Sequence, residues 1–189
     1  HAQSITTSQV LSGTTPGAFL NNNFAGEGVR LEQCKFNWSS GNISGSQVGT
    51  FTNTNPSFPF SSGIVLTTGN ISVAEGPNNS GSESSTTGVN QASTDPDLQA
   101  LIPGYSLSNA SVLEFNFYSG RNENNNIVSF NYIFGSEEYP EYVCSNYNDV
   151  FGFFLYGPDP FNCQGNNVTR NIAIIPGSGG LPVSINSVN

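Results

Sequence analysis

Short segments in which apolar and polar residues alternate recur along the chain and predict β-strands. In the segment 110–118, Leu113, Phe115 and Phe117 alternate with polar residues, so one face of a strand would be apolar and the other polar. Five further segments are rich in the β-branched and aromatic residues that favour strands. The six predicted strands comprise residues 62–68, 110–118, 127–134, 149–156, 171–175 and 182–188. We therefore predict an all-β, sandwich-like protein with mostly antiparallel strands.

Helical patterns are short. Residues 95–101 place an acidic cap, Asp95, before a proline, Asp97 and an apolar pair, which is typical of a helix of one or two turns. Residues 8–11 fit a single N-terminal turn. Segments 110–118 and 127–134 are joined by a loop rich in Gly and Asn and predict a hairpin. We expect at most one or two short helical turns in the whole chain.

Long loops rich in Gly, Asn and Ser connect the predicted strands. The longest, residues 75–95, contains almost no apolar side chain and should lie at the surface. Its composition resembles that of the rest of the chain, so it does not indicate a linker between domains. A length of 189 residues is ample for one core and short for two. We predict a single β-rich domain over residues 1–189.

Neutral side chains supply most of the polarity. Charged residues make up only 9% of the chain, against 26 Asn, 26 Ser and 21 Gly. Four Lys and Arg against 13 Asp and Glu give a formal net charge of −9, which repels nucleic-acid phosphates and anionic lipids. No apolar run reaches the about 18 residues of a membrane span. The composition predicts an extracellular protein that binds no nucleic acid and has no membrane span.

Carboxylates are concentrated in one short region. Glu137, Glu138 and Glu141 lie within five residues, and Asn148 and Asp149 follow shortly after. Carboxylates held close together repel one another unless a cation, a proton or hydrogen bonds intervene. Outside the cell, calcium is the abundant cation that prefers oxygen ligands.

This density predicts a calcium site with Glu137, Glu138, Asn148 and Asp149 as ligands. Further oxygen donors that could contribute are Asp95, Asp97 and Glu114. The alternative is that these carboxylates cap turns and accept hydrogen bonds from backbone N–H groups.

Catalysis is restricted by the single histidine, His1, which excludes a Ser-His-Asp triad and a zinc site with several histidines within the chain. A secreted hydrolase could still use two carboxylates. However, adjacent Glu137 and Glu138 on an extended chain would point to opposite faces. Aromatic residues such as Tyr139 and Tyr147 could stack on sugars, as in a carbohydrate-binding module, or fill the core.

Three cysteines, Cys34, Cys144 and Cys163, lack the C-x-x-C spacing of metal and redox sites. Cys144 and Cys163 flank the predicted strand 149–156, and a disulfide between them would contribute about 3 kcal/mol. We predict this disulfide and an unpaired Cys34.

Several motifs together resemble one known family, the choice-of-anchor L domain. They are GPNNS at 76–80, DPDL at 95–98, LEFNF at 113–117, FGSEEYPEYV at 134–143, NDVFGFF at 148–154 and NIAIIPG at 171–177. The resemblance extends over residues 64–188 in the same order. This sequence departs from the family in one place, because family strands normally carry an aspartate where Asn116 stands.

The resemblance implies a non-catalytic, adhesive or structural module of an exported bacterial surface protein. Such proteins, many from the Bacteroidetes, carry varied sorting signals, including those of type IX secretion. Other surface proteins or glycans would be the partners. Family members usually continue with further strands, so the resemblance also implies a truncated copy. Strand addition at the C-terminal edge, residues 182–188, would then cover the exposed backbone.

Overall fold

A computed structural model describes residues 5–78, 94–120, 128–159 and 165–188. Its strands are β1 (Ile5–Gln9), β2 (Val29–Phe36), β3 (Val48–Asn53), β4 (Ser62–Leu66), β5 (Leu113–Ser119), β6 (Val150–Phe151), β7 (Phe154–Pro158), β8 (Asn167–Asn171) and β9 (Val183–Ser184). The helices are α1 (Pro16–Asn23), α2 (Pro96–Leu101) and a 3₁₀ helix at Ile71–Glu75. Every strand pair among these residues is antiparallel, which confirms the predicted all-β class. None of the helices described is long and apolar enough to cross a membrane.

The chain divides into two compact units. The first comprises His1–Thr94 and Ser108–Asn131, and the second comprises Asp95–Leu107 and Tyr132–Asn189. The first unit contains a three-stranded sheet in the order β1-β3-β4 and a two-stranded sheet of β2 and β5. The second contains the two-stranded sheets β6-β9 and β7-β8. The single domain over residues 1–189 stays a prediction.

The core of the first unit lies between α1 and the β2–β5 sheet. Phe19 and Leu20 of α1 pack in one buried cluster with Leu31, Cys34 and Phe36 of β2. Strict alternation would place Leu31 and Phe36 on opposite faces of β2. A β-bulge between Glu32 and Lys35 shifts the register and brings both residues to the core side.

Helix α1 was not predicted, because its apolar residues are followed by three consecutive asparagines. Thr15 caps it by accepting a hydrogen bond from Ala18 N, and Pro16 occupies the first turn. The Asn21 side chain then binds the outer edge of β2, where its Nδ2 donates to Leu31 O at 2.9 Å and its Oδ1 accepts from Leu31 N at 3.1 Å. Asn21 thus takes the place of a neighbouring strand.

The predicted hairpin between segments 110–118 and 127–134 is wrong. β5 pairs with β2, and residues 128–134 form no strand in the described structure. β2 was missed because its bulge breaks the alternation and because it contains three charged residues. The predicted turn at residues 8–11 is also wrong, since Ser8 and Gln9 belong to β1.

In the second unit, the predicted strand 149–156 is two strands that belong to different sheets. Gly152 separates them, and a Cβ there would lie 2.5 Å from the ring of Phe154. β8 ends at Asn171, so strand 171–175 was placed too late, and β9 covers only Val183–Ser184 of the predicted 182–188. The short helix is confirmed as α2, with Asp95 as its cap.

We expect Asn21→Ala to lower the free energy of unfolding by about 1–2 kcal/mol, because both backbone groups of Leu31 lose their partner. Asn22→Ala is the matched control, since Asn22 lies on the same helix and is exposed. Its effect should stay within about 0.5 kcal/mol. Urea unfolding of both variants measures the difference, and equal effects would contradict the role of Asn21.

Candidate functional site

The predicted acidic region is a succession of turns in the second unit, which we call the acidic turn (residues 136–149). The chain reverses after Glu138, whose carbonyl accepts a hydrogen bond from Tyr142 N at 2.9 Å. A second reversal follows, in which Ser145 N donates to Tyr142 O at 3.0 Å. Because this backbone is not extended, Glu137 and Glu138 are not constrained to opposite faces as on a strand.

Ser136 connects the two ends of the acidic turn. Its hydroxyl donates to Asp149 Oδ2 at 2.7 Å and accepts from Glu138 N at 3.2 Å. The Ser136 side chain therefore holds the backbone of Glu138 close to Asp149, which lies eleven positions later in the chain. This role of Ser136 was not predicted, and its position immediately before two glutamates was the available signal.

Glu138 has the most perturbed environment of this turn. Its Oε2 is shielded from solvent and has no hydrogen-bond partner among the described residues. Burial, and then the neighbouring charges of Asp149 and Glu137, raise the pKa of Glu138 from 4.5 to about 7. Near neutral pH this side chain therefore alternates between a proton donor and a carboxylate.

The other predicted ligands have structural partners. Asn148 Oδ1 accepts a hydrogen bond from Asn186 N at 3.1 Å, and Asp95 Oδ1 accepts one from Leu98 N at 2.8 Å at the start of α2. Glu114 belongs to the first unit, where its Oε2 lies 3.6 Å from Lys35 Nζ.

Asp97 lies in the first turn of α2. Of the seven predicted ligands, Glu138 lies close enough to Asp149 and Glu137 for their charges to act on its carboxylate. No group of three or more His, Cys, Asp and Glu side chains in the described ranges is placed to hold a metal ion.

Asn186 is a connecting residue that the sequence did not reveal. Its Oδ1 accepts from Cys144 N at 2.6 Å, and its Nδ2 donates to the Tyr105 hydroxyl at 2.8 Å. Together with the bond to Asn148, these contacts join the acidic turn to the segment after β9 and the segment after α2. One asparagine among 26 carries no sequence signal for this role.

The cysteines have different environments. Cys34 is buried in the core of the first unit, and burial raises the pKa of its thiol. Cys144 is exposed in the acidic turn. Cys163 lies outside the described residues, so the disulfide between Cys144 and Cys163 stays a prediction.

The raised pKa of Glu138 predicts a pH dependence of stability. The folded state holds this proton more tightly than the unfolded state, so the free energy of unfolding should fall as pH rises from 4.5 to about 7. We expect a cost on the order of 1 kcal/mol, because the side chain is only partly buried. Glu138→Gln should remove this component and be the more stable protein at pH 8.

Urea unfolding at pH 5 and pH 8 measures the effect. Glu141→Gln is the control, because it removes an exposed carboxylate from the same turn. If both variants changed the pH dependence equally, a special role of Glu138 would be contradicted.

Comparison with known proteins gives one match. The family model of the choice-of-anchor L domain matches residues 6–189. Neither a curated protein nor a solved structure matches the chain. Since the family match covers nearly all of the sequence, the chain belongs to the choice-of-anchor L domain family.

Proposed function

We propose that this chain is a non-catalytic extracellular module of a bacterial cell-surface or secreted protein, and that its function is adhesive. Membership of the choice-of-anchor L domain family indicates a surface-exposed or secreted protein. The family is not known for enzymatic activity. The observation that carries the adhesive proposal is the exposure of tyrosine side chains in the second unit.

Exposed apolar side chains are concentrated in the second unit. Of the sixteen large apolar side chains that are exposed among the described residues, ten lie there. Four of the ten are tyrosines: Tyr132, Tyr139, Tyr147 and Tyr156. Tyrosine provides a large apolar ring and a polar hydroxyl with little loss of conformational entropy, and it is therefore enriched at binding surfaces.

Two of these rings are held by aromatic neighbours. Tyr147, which is 59% exposed, meets Tyr142 edge-on with ring centroids 5.4 Å apart. Tyr132 packs against Phe151 at a centroid distance of 4.9 Å. Rings that are already oriented lose less freedom on binding, which favours adhesion to a partner surface.

Carbohydrate binding is the second candidate, and Tyr156 supports it. This side chain is 68% exposed on β7, and its hydroxyl accepts a hydrogen bond from Asn167 Nδ2 at 3.1 Å. Thr169 lies directly opposite on β8. An exposed ring next to an amide and a hydroxyl offers the stacking surface and the polar groups that a sugar requires.

Binding to immobilised material tests both candidates. Beads that carry the chain are exposed to a panel of polysaccharides (cellulose, chitin, xylan) and proteins (gelatin, serum albumin). We expect Tyr147→Ala and Tyr156→Ala to weaken retention about fivefold to tenfold on the bound material, as loss of an aromatic anchor does. Leu11→Ala, which removes an 80% exposed side chain from the first unit, should have no effect.

The pattern of retention separates the candidates. Retention on a polysaccharide that Asn167→Ala also weakens would favour the carbohydrate-binding module. Equal loss in the Leu11 control would contradict a role of the tyrosines. Release of reducing sugars from any polysaccharide would contradict the non-catalytic proposal and favour the secreted hydrolase.

We also propose that calcium binds at the acidic turn. This proposal does not depend on the adhesive function. Support comes from Glu138, whose pKa is raised by burial and then by the charges of Asp149 and Glu137, because a divalent cation would relieve the repulsion among these carboxylates.

Millimolar calcium at pH 8 should raise the melting temperature of the natural chain and leave that of Glu138→Gln unchanged. Magnesium is the control cation. An unchanged midpoint for the natural chain would contradict the calcium proposal.

A further inference from the structure

The β1-β3-β4 sheet of the first unit has two outer edges, at β1 and at β4. An outer strand presents unpaired N–H and C=O groups to its surroundings, and natural proteins usually protect such an edge with a charge, a proline or a bulge. The two edges of this sheet differ in that respect.

The hydrogen-bond register defines which backbone groups of β4 face outward. Thr67 N donates to Gln47 O, and Asn53 N donates to Ser61 O, at the two ends of the β3–β4 pair. Bonded pairs alternate with non-bonded pairs in an antiparallel ladder, so odd-numbered residues of β4 bond to β3. The N–H and C=O groups of Ser62, Ile64 and Leu66 therefore point away from β3, and no described residue bonds to them.

The edge at β1 is protected. Its outward-facing Thr7 N donates to Glu75 Oε1 at 2.7 Å, and the Thr7 hydroxyl donates to the same oxygen at 2.8 Å. A carboxylate thus occupies the centre of this edge, where another strand would have to bond.

Neither charge nor proline protects β4. Residues 36–74 contain no Asp, Glu, Lys or Arg, and the whole β1-β3-β4 sheet carries no ionisable side chain. Two copies of a chain with a net charge of −9 repel each other least where such neutral surfaces meet. The neutral β4 edge therefore meets little electrostatic repulsion from a second copy.

We propose that β4 is a self-association edge that pairs in an antiparallel manner with β4 of a second copy. A two-fold axis through Ile64 places Ile64 opposite its own counterpart and Ser62 opposite Leu66 of the second copy. All three outward-facing residues then exchange both backbone bonds, and the two sheets become one sheet of six strands.

The side chains suit this pairing. Ile64 packs against the core cluster of the first unit, and Leu66, on the same face of β4, is 37% exposed. Pairing extends this apolar face across the two-fold axis. Because Glu75 protects β1, the pairing closes as a dimer and does not continue into a fibre.

The interface is small, so the dimer should be weak and depend on concentration. A pair of five-residue strands buries less than the roughly 1,600 Å² of a stable complex. Dimerisation should therefore be visible only at high protein concentration.

Two matched double variants test the register. In the proposed dimer, position 62 of each copy faces position 66 of the other copy. The double variant Ser62→Lys, Leu66→Lys therefore places two lysines face to face at both of these contacts. The double variant Ser62→Lys, Leu66→Glu instead places a lysine against a glutamate at both contacts. We expect the first variant to weaken dimerisation about tenfold or more and the second to dimerise within about threefold of the natural chain. Both positions are exposed, so both variants should fold.

Sedimentation equilibrium up to about 1 mM protein measures the dimerisation constant. Amide hydrogen exchange supplies an independent readout, because the amide of Ile64 should become protected with increasing concentration. A natural chain that stays monomeric over this range, or a dimer that both variants affect equally, would overturn the proposal.

Discussion

Satisfying the backbone at the edges of short sheets is the constraint on which the rest of this structure depends. All sheets in the described residues contain two or three strands, so most strands have at least one open side. Side-chain amides bond to backbone groups both at such an open side and in the segments between strands. Asn21 bonds to both backbone groups of Leu31, and Asn171 accepts from Phe153 N and Ala173 N. The abundance of asparagine therefore has a direct structural use, because one amide both donates and accepts.

Charged groups are few, and the basic residues that the structure describes form ion pairs. The three basic residues in the described ranges each pair with a carboxylate, as Arg30 does with Glu32 and Arg170 with Asp159. Exposed pairs of this kind add little stability. Acidic residues outnumber basic ones in the chain, and in the acidic turn burial, followed by the charges of Asp149 and Glu137, raises the pKa of Glu138.

Local signals were sufficient for some elements and insufficient for others. α2 could be predicted because Asp95 and the following proline both act within its first turn, and β5 could be predicted from regular alternation. The partner of β5 could not be predicted, because β2 lies far away in sequence and a bulge obscures its pattern. In the acidic turn, the density of carboxylates identified Glu138. Its proximity to Asp149 depends on Ser136 and on turns whose geometry the sequence does not specify.

The contact between Asn21 and Leu31 has a consequence for the medium in which the protein can function. An amide is neutral at every pH that a protein tolerates, and salt screens it far less than it screens an ion pair. Outside a cell, ionic strength varies widely and no cytoplasm buffers it. The bonds between the Asn21 amide and the edge of β2 therefore persist in fresh water and in brine alike.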